Sequence, residues 1–144
     1  MDFSARKGMG IKMSYFNNLT TTLLNKNLDG LWLRQQVVME NIANYSTPNY
    51  KSKYVDFEHE LKSKIDAINN SKDNVKASVI QEDISSSKIV LGENDNKTMR
   101  LDGNNVDLES ENIELAKTQL NYSYTVAELN SYFAKMRIAI TGTK

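Results

Sequence analysis

LAKTQLNYSYTVAELNSYFAKMRIAI, residues 115–140, is the stretch that decides the fold. Leu115, Tyr122, Val126, Leu129, Phe133, Met136 and Ile140 follow one another at steps of 7, 4, 3, 4, 3 and 4. That is the heptad spacing of a helix that buries one seam. Ile113, Ala116, Leu120 and Ala127 widen the seam to a stripe. The flanks carry helix-end signals. Asp107 is placed as an N-cap, and Glu109 and Glu111 lie at the positive end of the helix dipole. Lys135 and Arg137 lie near the negative end, with Gly142 positioned for a C-terminal cap. The spacing predicts a C-terminal helical segment over 107–144.

Working back toward the N-terminus, a second seam covers 14–46. Leu24, Leu28, Leu31, Val38, Ile42 and Tyr45 step by 4, 3, 7, 4 and 3, interrupted only at Gln35. Gly30 lies inside it after Asp29; a mid-helix glycine costs about 1 kcal/mol relative to alanine, and Asp-Gly can also mark a turn. The seam keeps its phase across the pair, which favours a continuous helix with a weak point. Residues 1–13 are expected to form a flexible tail, with Met13 an alternative start. Arg6, Lys7 and Lys12 are not followed by an apolar run, so no cleaved secretory signal is expected.

The middle region, 47–106, has a different character. Pro48, the only proline, ends the first helix, because proline disfavours helical geometry in the residue before it. A short helix is expected from about Tyr54 to Ile68, with Phe57, Leu61, Ile65 and Ile68 on one face. The polar, loop-rich stretch Asn69–Lys97 contains two β-compatible runs, Val75–Ile80 and Lys88–Leu91, which leaves open a small β-hairpin or a loose loop. Asp102-Gly103-Asn104 reads as a turn. The fold class is therefore mainly α, with long terminal helices pairing as a coiled-coil-like layer.

Chemistry is sparse. The chain has 144 residues, 18 basic and 18 acidic side chains, and no cysteine. Zero net charge gives no electrostatic case for nucleic acid or an anionic membrane, and thiolate chemistry is excluded. The single histidine, His59, shares helical metal-ligand spacing only with Asp56, and a solvated helix face accounts for the pair. The calcium-like runs fail the EF-hand register: with Gly103 at loop position 6, Thr98 falls at position 1, and with Gly92 there, Ser87 does. The six glycines form no phosphate loop. No catalytic, cofactor or metal site is expected. Seven tyrosines in a chain with one tryptophan suit either partial burial or an interface, since tyrosine joins a large apolar body to a polar tip.

Two helices of about 30 residues would each extend roughly 45 Å, and the rest of the chain is too small to cover both seams. Two readings stay open: a monomeric antiparallel bundle whose core is those stripes, or an assembly protein whose spare apolar edges meet other copies.

Two motifs bear on that choice. Asn41-Ile42-Ala43-Asn44-Tyr45-Ser46-Thr47-Pro48-Asn49-Tyr50-Lys51 resembles the signature of the rod and hook axial proteins of the bacterial flagellum: Asn-Ile-Ala-Asn, two variable residues, then Thr-Pro-Gly-Tyr-Lys. Asn49 stands where the family usually has glycine, and asparagine is the next best residue for positive φ. Asp102-Gly103-Asn104-Asn105-Val106-Asp107-Leu108-Glu109-Ser110-Glu111, followed by a tyrosine-bearing helix ending Ala139-Ile140-Thr141-Gly142, is similar to the proximal rod subunits of that family. The likeness spans both ends, leaving out the first dozen residues and the variable middle. It implies a structural subunit of the basal-body rod, the periplasm-spanning drive shaft. It further implies export without signal cleavage through the flagellar type III apparatus. The implied partners are other copies of the chain, other rod proteins, the adaptor FliE, and the membrane ring and export gate. By the same resemblance, Asn41, Asn44, Thr47, Pro48 and Tyr50 would shape the bend after the first helix. Asp102, Gly103, Asn104, Val106, Asp107 and Glu111 would fix the start of the last. A soluble helical adaptor or export chaperone is the alternative.

Overall fold

A computed structural model describes residues 3–70, 77–94 and 100–142. The chain runs α1 (Phe3–Ala43), β1 (Lys53–Asp56), α2 (Glu58–Asn70), α3 (Ala77–Ser85), β2 (Val90–Glu93) and α4 (Leu108–Thr141). The long terminal helices pack together, α3 and β1 pack on α1, and β1 pairs antiparallel with β2. Among the described residues, no helix is long and apolar enough to cross a membrane.

α1 continues upstream through Met13, where the sequence reading places the end of a tail. It also runs unbroken through Gly30, whose role is packing. A Cβ built there would lie 2.5 Å from Cγ of Phe57, so the aromatic ring crosses the helix where only glycine leaves room. Phe57, Val55, Val37 and Leu31 form the core cluster, with Leu33, Ile89 and Tyr122 packed against it.

Two hydrogen bonds set the register of the helix pair. Asn41 Nδ2 donates to Glu111 Oε1 at 3.0 Å, and Asn27 Nδ2 donates to Thr125 Oγ1 at 3.0 Å. The bonds are 14 residues apart on each helix (41 − 27 and 125 − 111), as an antiparallel heptad pair requires. Thr118 lies midway and is buried, level with Arg34. The same offset puts Val37 level with Leu115 and Gly30 level with Tyr122. Apolar and polar layers therefore alternate along the seam.

The middle region departs from expectation in three places. Tyr54–Asp56 is strand, and the second helix starts at Glu58. Asp56 Oδ1 accepts from the backbone N–H of His59 at 3.4 Å, a local bond that helps start the helix there. Val55 alternates inward between exposed Tyr54 and Asp56, which is strand periodicity. The β-compatible run Val75–Ile80 is mostly the first turn of α3, while Val75 and Lys76 lie outside the described residues. The helix is favoured because it carries Ile84 into full burial, and Lys26 Nζ of α1 donates to the Ser85 carbonyl at its C-terminal end. The small sheet is thus not a hairpin of the two predicted runs: β2, overlapping Lys88–Leu91, pairs with β1 across α2 and α3. The Ile68 side chain and residues 71–76 and 95–99 lie outside the described residues.

Candidate assembly site

The two turn motifs, more than 50 residues apart, meet in one polar knot at the end of the helix pair. Asn41 sits at the last turn of α1 with no exposure at all. A carboxamide has two N–H donors and two acceptor lone pairs, and all four are used. Nδ2 donates to the Lys53 carbonyl at 2.8 Å and to Glu111. Oδ1 accepts from the Lys53 N–H at 2.9 Å and from the Tyr50 hydroxyl at 3.2 Å. Asn41 thus joins α1 to β1, to the turn, and to α4.

Asn104, also fully buried, does the same for the bend itself. Its Nδ2 lies 2.9 Å from the Asn44 carbonyl, 3.1 Å from that of Tyr45 and 2.9 Å from that of Thr47. Its Oδ1 accepts from the buried Val106 N–H at 2.7 Å. The carbonyls left over at the C-terminus of α1 are therefore met by a side chain from the second motif. Asn49, at φ 60°, supplies the left-handed turn, and its N–H donates to the Asp102 carbonyl at 2.8 Å. Gly103, at φ 74°, approaches so closely that a Cβ would lie 2.6 Å from Asn49 Oδ1. Lys51 Nζ donates to the Gly103 carbonyl at 2.9 Å. Pro48 and Thr47 lie exposed on the outer side, where the Thr47 hydroxyl donates to Asn44 Oδ1 at 3.1 Å. Asp107 caps α4, its side chain accepting from the N–H groups of Glu109 and Ser110.

Charge follows the same geometry. Arg100 donates to Asp102 and lies 4.5 Å over the Tyr45 ring. That hydrogen bond and the Asn104 N–H hold the Asp102 carboxyl below the usual carboxylate range. Arg34 pairs with Glu58 through its two terminal nitrogens, Nη1 and Nη2, donates from Nη2 to the Val55 carbonyl at 2.8 Å, and stacks 4.9 Å over Phe57. Burial pushes the Glu111 carboxyl above its usual value, and the Asn41 hydrogen bond only partly offsets this.

The predicted seam residues divide by burial. Leu31 and Val38 are buried within the subunit. Leu24, Leu28, Ile42, Leu115, Tyr122, Val126, Leu129 and Met136 are half-buried, whereas Phe133 and Ile140 are exposed. The face of α4 turned toward α1 is the heptad Leu115, Thr118, Tyr122, Thr125, Leu129, Tyr132 and Met136, each at least half-buried. Thr118 and Thr125 belong to it and escaped the apolar pattern because they are polar. The opposite side of α4, at about 100° of turn per residue, carries a second stripe. Ile113, Leu120, Tyr124 and Ile138 are 50%, 53%, 65% and 53% exposed, with Ala116, Ala127 and Ala134 between them. Trp32 and Met39, seven residues apart on α1, are exposed in the same way. Sequence reading had taken Ile113 and Leu120 as the margin of one wide stripe; they belong to a separate one.

No protein-family profile matches the chain. Full-length relatives do. The flagellar basal body rod protein FlgB of Bacillus subtilis (strain 168) is 35% identical over 135 residues, covering 92% of this chain and 100% of the relative. That of Borrelia hermsii is 34% identical over 131 residues, covering 85% and 96%. That of Borreliella burgdorferi is 32% identical over 123 residues, covering 78% and 89%. Identity at this level over nearly whole chains, joined to two rod-type motifs locked in one knot, gives the conclusion: the chain belongs to the FlgB family of flagellar basal body rod proteins.

Proposed function

We propose that this chain assembles with copies of itself and with other rod proteins into the periplasm-spanning rod that transmits rotation for motility. Contacts run through the apolar faces of its terminal helices. The observation that carries this reading is the second stripe on α4, on the side away from α1. A helix with apolar residues on two opposite sides needs a neighbour on each, and one subunit supplies only one. Covering each half-exposed large side chain contributes about 1 kcal/mol, and repetition around a tube adds avidity to individually weak contacts. The exposed Phe133, Ile140, Trp32 and Met39, and the half-buried margins of the inner seam, extend the contact surface. Heterologous contacts let such an assembly grow, and different partner faces end it.

In this reading the subunit leaves the cytoplasm through the flagellar type III apparatus without losing a signal segment. It then meets the adaptor FliE and the membrane ring and export gate at the base of the rod. Its chemistry is structural. Basal bodies purified from cells carrying a tagged chain test this: the chain should co-purify with them, and its deletion should abolish swimming. A chain found only in the soluble cytoplasmic fraction, with swimming cells after deletion, would establish the adaptor or chaperone reading instead.

A further inference from the structure

α1 has an outer face as well as an inner one. Asn25, Asp29, Trp32, Gln36, Met39 and Ala43 follow one another at steps of 4, 3, 4, 3 and 4, and every one is exposed. They lie on the side opposite Asn27, Arg34 and Asn41, which face α4, since each step of two residues turns the helix by about 200°. On α4, Leu120, Ser123, Ala127, Asn130, Ala134 and Arg137 form a matching outer face, all exposed, at steps of 3, 4, 3, 4 and 3. The two faces of one copy point away from each other, so they meet only between copies. With the helices along a tube, copies related by rotation about its axis and translation along it keep one direction. The α1 of one copy then runs antiparallel to the α4 of the next.

Several antiparallel registers keep the heptad phase. With no stagger between copies, Trp32 falls opposite Leu120. A shift of seven residues sets Trp32 against Ile113 in one sense and Met39 against Leu120 in the other. Each of these puts large side chains against each other. A shift of 14 residues pairs Trp32 with Ala134, Met39 with Ala127 and Ala43 with Ser123, large or small against small throughout. The same shift pairs Gln36 with Asn130 and Asp29 with Arg137. Asp29 and Arg137 are the only charged residues of the two faces, they are opposite in sign, and neither is ion-paired with another described residue. Side-chain size and charge, two independent features, thus select one alignment.

We propose that the outer face of α1 docks antiparallel on the outer face of α4 in a second copy of this chain, staggered by about 21 Å, the length of 14 helical residues; this rests on the assembly reading above. Trp32 and Met39, 56% and 45% exposed in the single subunit, enter the gaps over Ala134 and Ala127 as knobs enter holes. The Asp29 carboxylate meets the Arg137 guanidinium at one end of the contact. Toward the other end, Leu120 falls level with Ser46 of the second copy, beside the exposed Tyr45 ring. The contact is heterologous: each copy gives one face to the copy before it and the other to the copy after it, so the series propagates.

The test uses the full chain, which has no cysteine of its own. Asp29→Cys combined with Arg137→Cys, oxidised in purified basal bodies, should give a ladder of covalent dimers and higher multimers. A disulfide needs Cα atoms within about 7 Å. Inside one subunit the two positions lie out of register by about 21 Å along the helices, so the bond forms only between copies. Asp29→Cys with Tyr124→Cys, positions that would meet if the helices ran parallel with Trp32 over Ala127, should give no ladder. Asp29→Arg alone should lower the content in basal bodies about 5-fold or more, because it sets two cations face to face. Adding Arg137→Asp to the same chain should restore it, with thermal unfolding near that of the parent throughout. Incorporation of the Asp29→Cys/Arg137→Cys chain without a ladder, a ladder from the Asp29→Cys/Tyr124→Cys chain, or equal content of the single and double charge variants would overturn the proposal. If the cysteine pair blocks incorporation, the charge variants decide alone. Absence of the unmodified chain from basal bodies would instead defeat the assembly reading.

Discussion

Replacing Asn104 by alanine should be among the most damaging single changes outside the apolar core. The side chain has no exposed surface. Its amide group holds two protons, shared among the carbonyls of Asn44, Tyr45 and Thr47, and its Oδ1 takes the N–H of Val106. That amounts to three strong bonds, each contributing a net of about 1 kcal/mol. The carbonyls of exposed Tyr45 and Thr47 can recruit water once the amide is gone, which softens the loss. The buried Val106 N–H has no such recourse, and an unsatisfied buried donor costs about 1–3 kcal/mol. The expected destabilisation is about 2–4 kcal/mol. For a chain of this length it lowers the melting temperature by about 3 °C per kcal/mol, or about 6–12 °C in all. Asn104→Asp should cost at least as much, because a carboxylate of the same shape faces three carbonyl oxygens and donates nothing. Denaturant and thermal melts followed by circular dichroism measure both. A loss below about 0.5 kcal/mol for Asn104→Ala would refute the claim that this residue ties the two motifs together.

Two further variants probe the helix pair. The buried Thr118 hydroxyl has no hydrogen-bond partner, so Thr118→Val, which keeps the shape and removes the orphan group, should stabilise by about 1 kcal/mol or more, read as a rise in melting temperature. A fall would mean the hydroxyl is satisfied. Glu111 supplies the pH dependence. Its folded-state pKa lies above the unfolded value because of burial, so ionisation weakens the fold as pH rises from below the unfolded pKa through the folded one. The penalty is fully present at neutral pH. Glu111→Gln keeps an oxygen for Asn41 and should raise stability at pH 7. The gain should vanish at about pH 3.5, below the ordinary glutamate value of about 4.3. Equal gains at both pH values would contradict the assignment.

The long helices were legible because seven-residue spacing survives in the apolar residues alone: Leu115, Tyr122, Leu129 and Met136 face inward as their spacing predicts. The polar layers were not. Nothing local marks Thr118 or Thr125 as buried, and the Thr125 hydroxyl meets its partner Asn27 on a helix 98 residues away. Gly30 looked like a weak point because the ring that needs the space comes from Phe57, outside the helix. The motif asparagines could be picked out by resemblance, but their partners are separated by 57 to 70 residues for Asn104 and for the Asn41–Glu111 bond. Short-range pattern carries no such information. The strand Lys53–Asp56 lost to a helix reading because Phe57, Leu61 and Ile65 continue at helical spacing from its end.

Polar layers in a helix seam fix register at some cost in stability. The inner seam then specifies how α1 and α4 align, while the outward stripe of α4 stays free for a neighbour. Leu120 is the residue to change, because it is 53% exposed and lies on the side away from α1. Leu120→Asp in a tagged chain should leave the unfolding free energy within about 0.5 kcal/mol of the parent, as exposed substitutions do. Its content in purified basal bodies should fall to a tenth or less. A folded Leu120→Asp chain present in basal bodies at the parental level, in cells that swim normally, would contradict the claim that this face joins one subunit to the next.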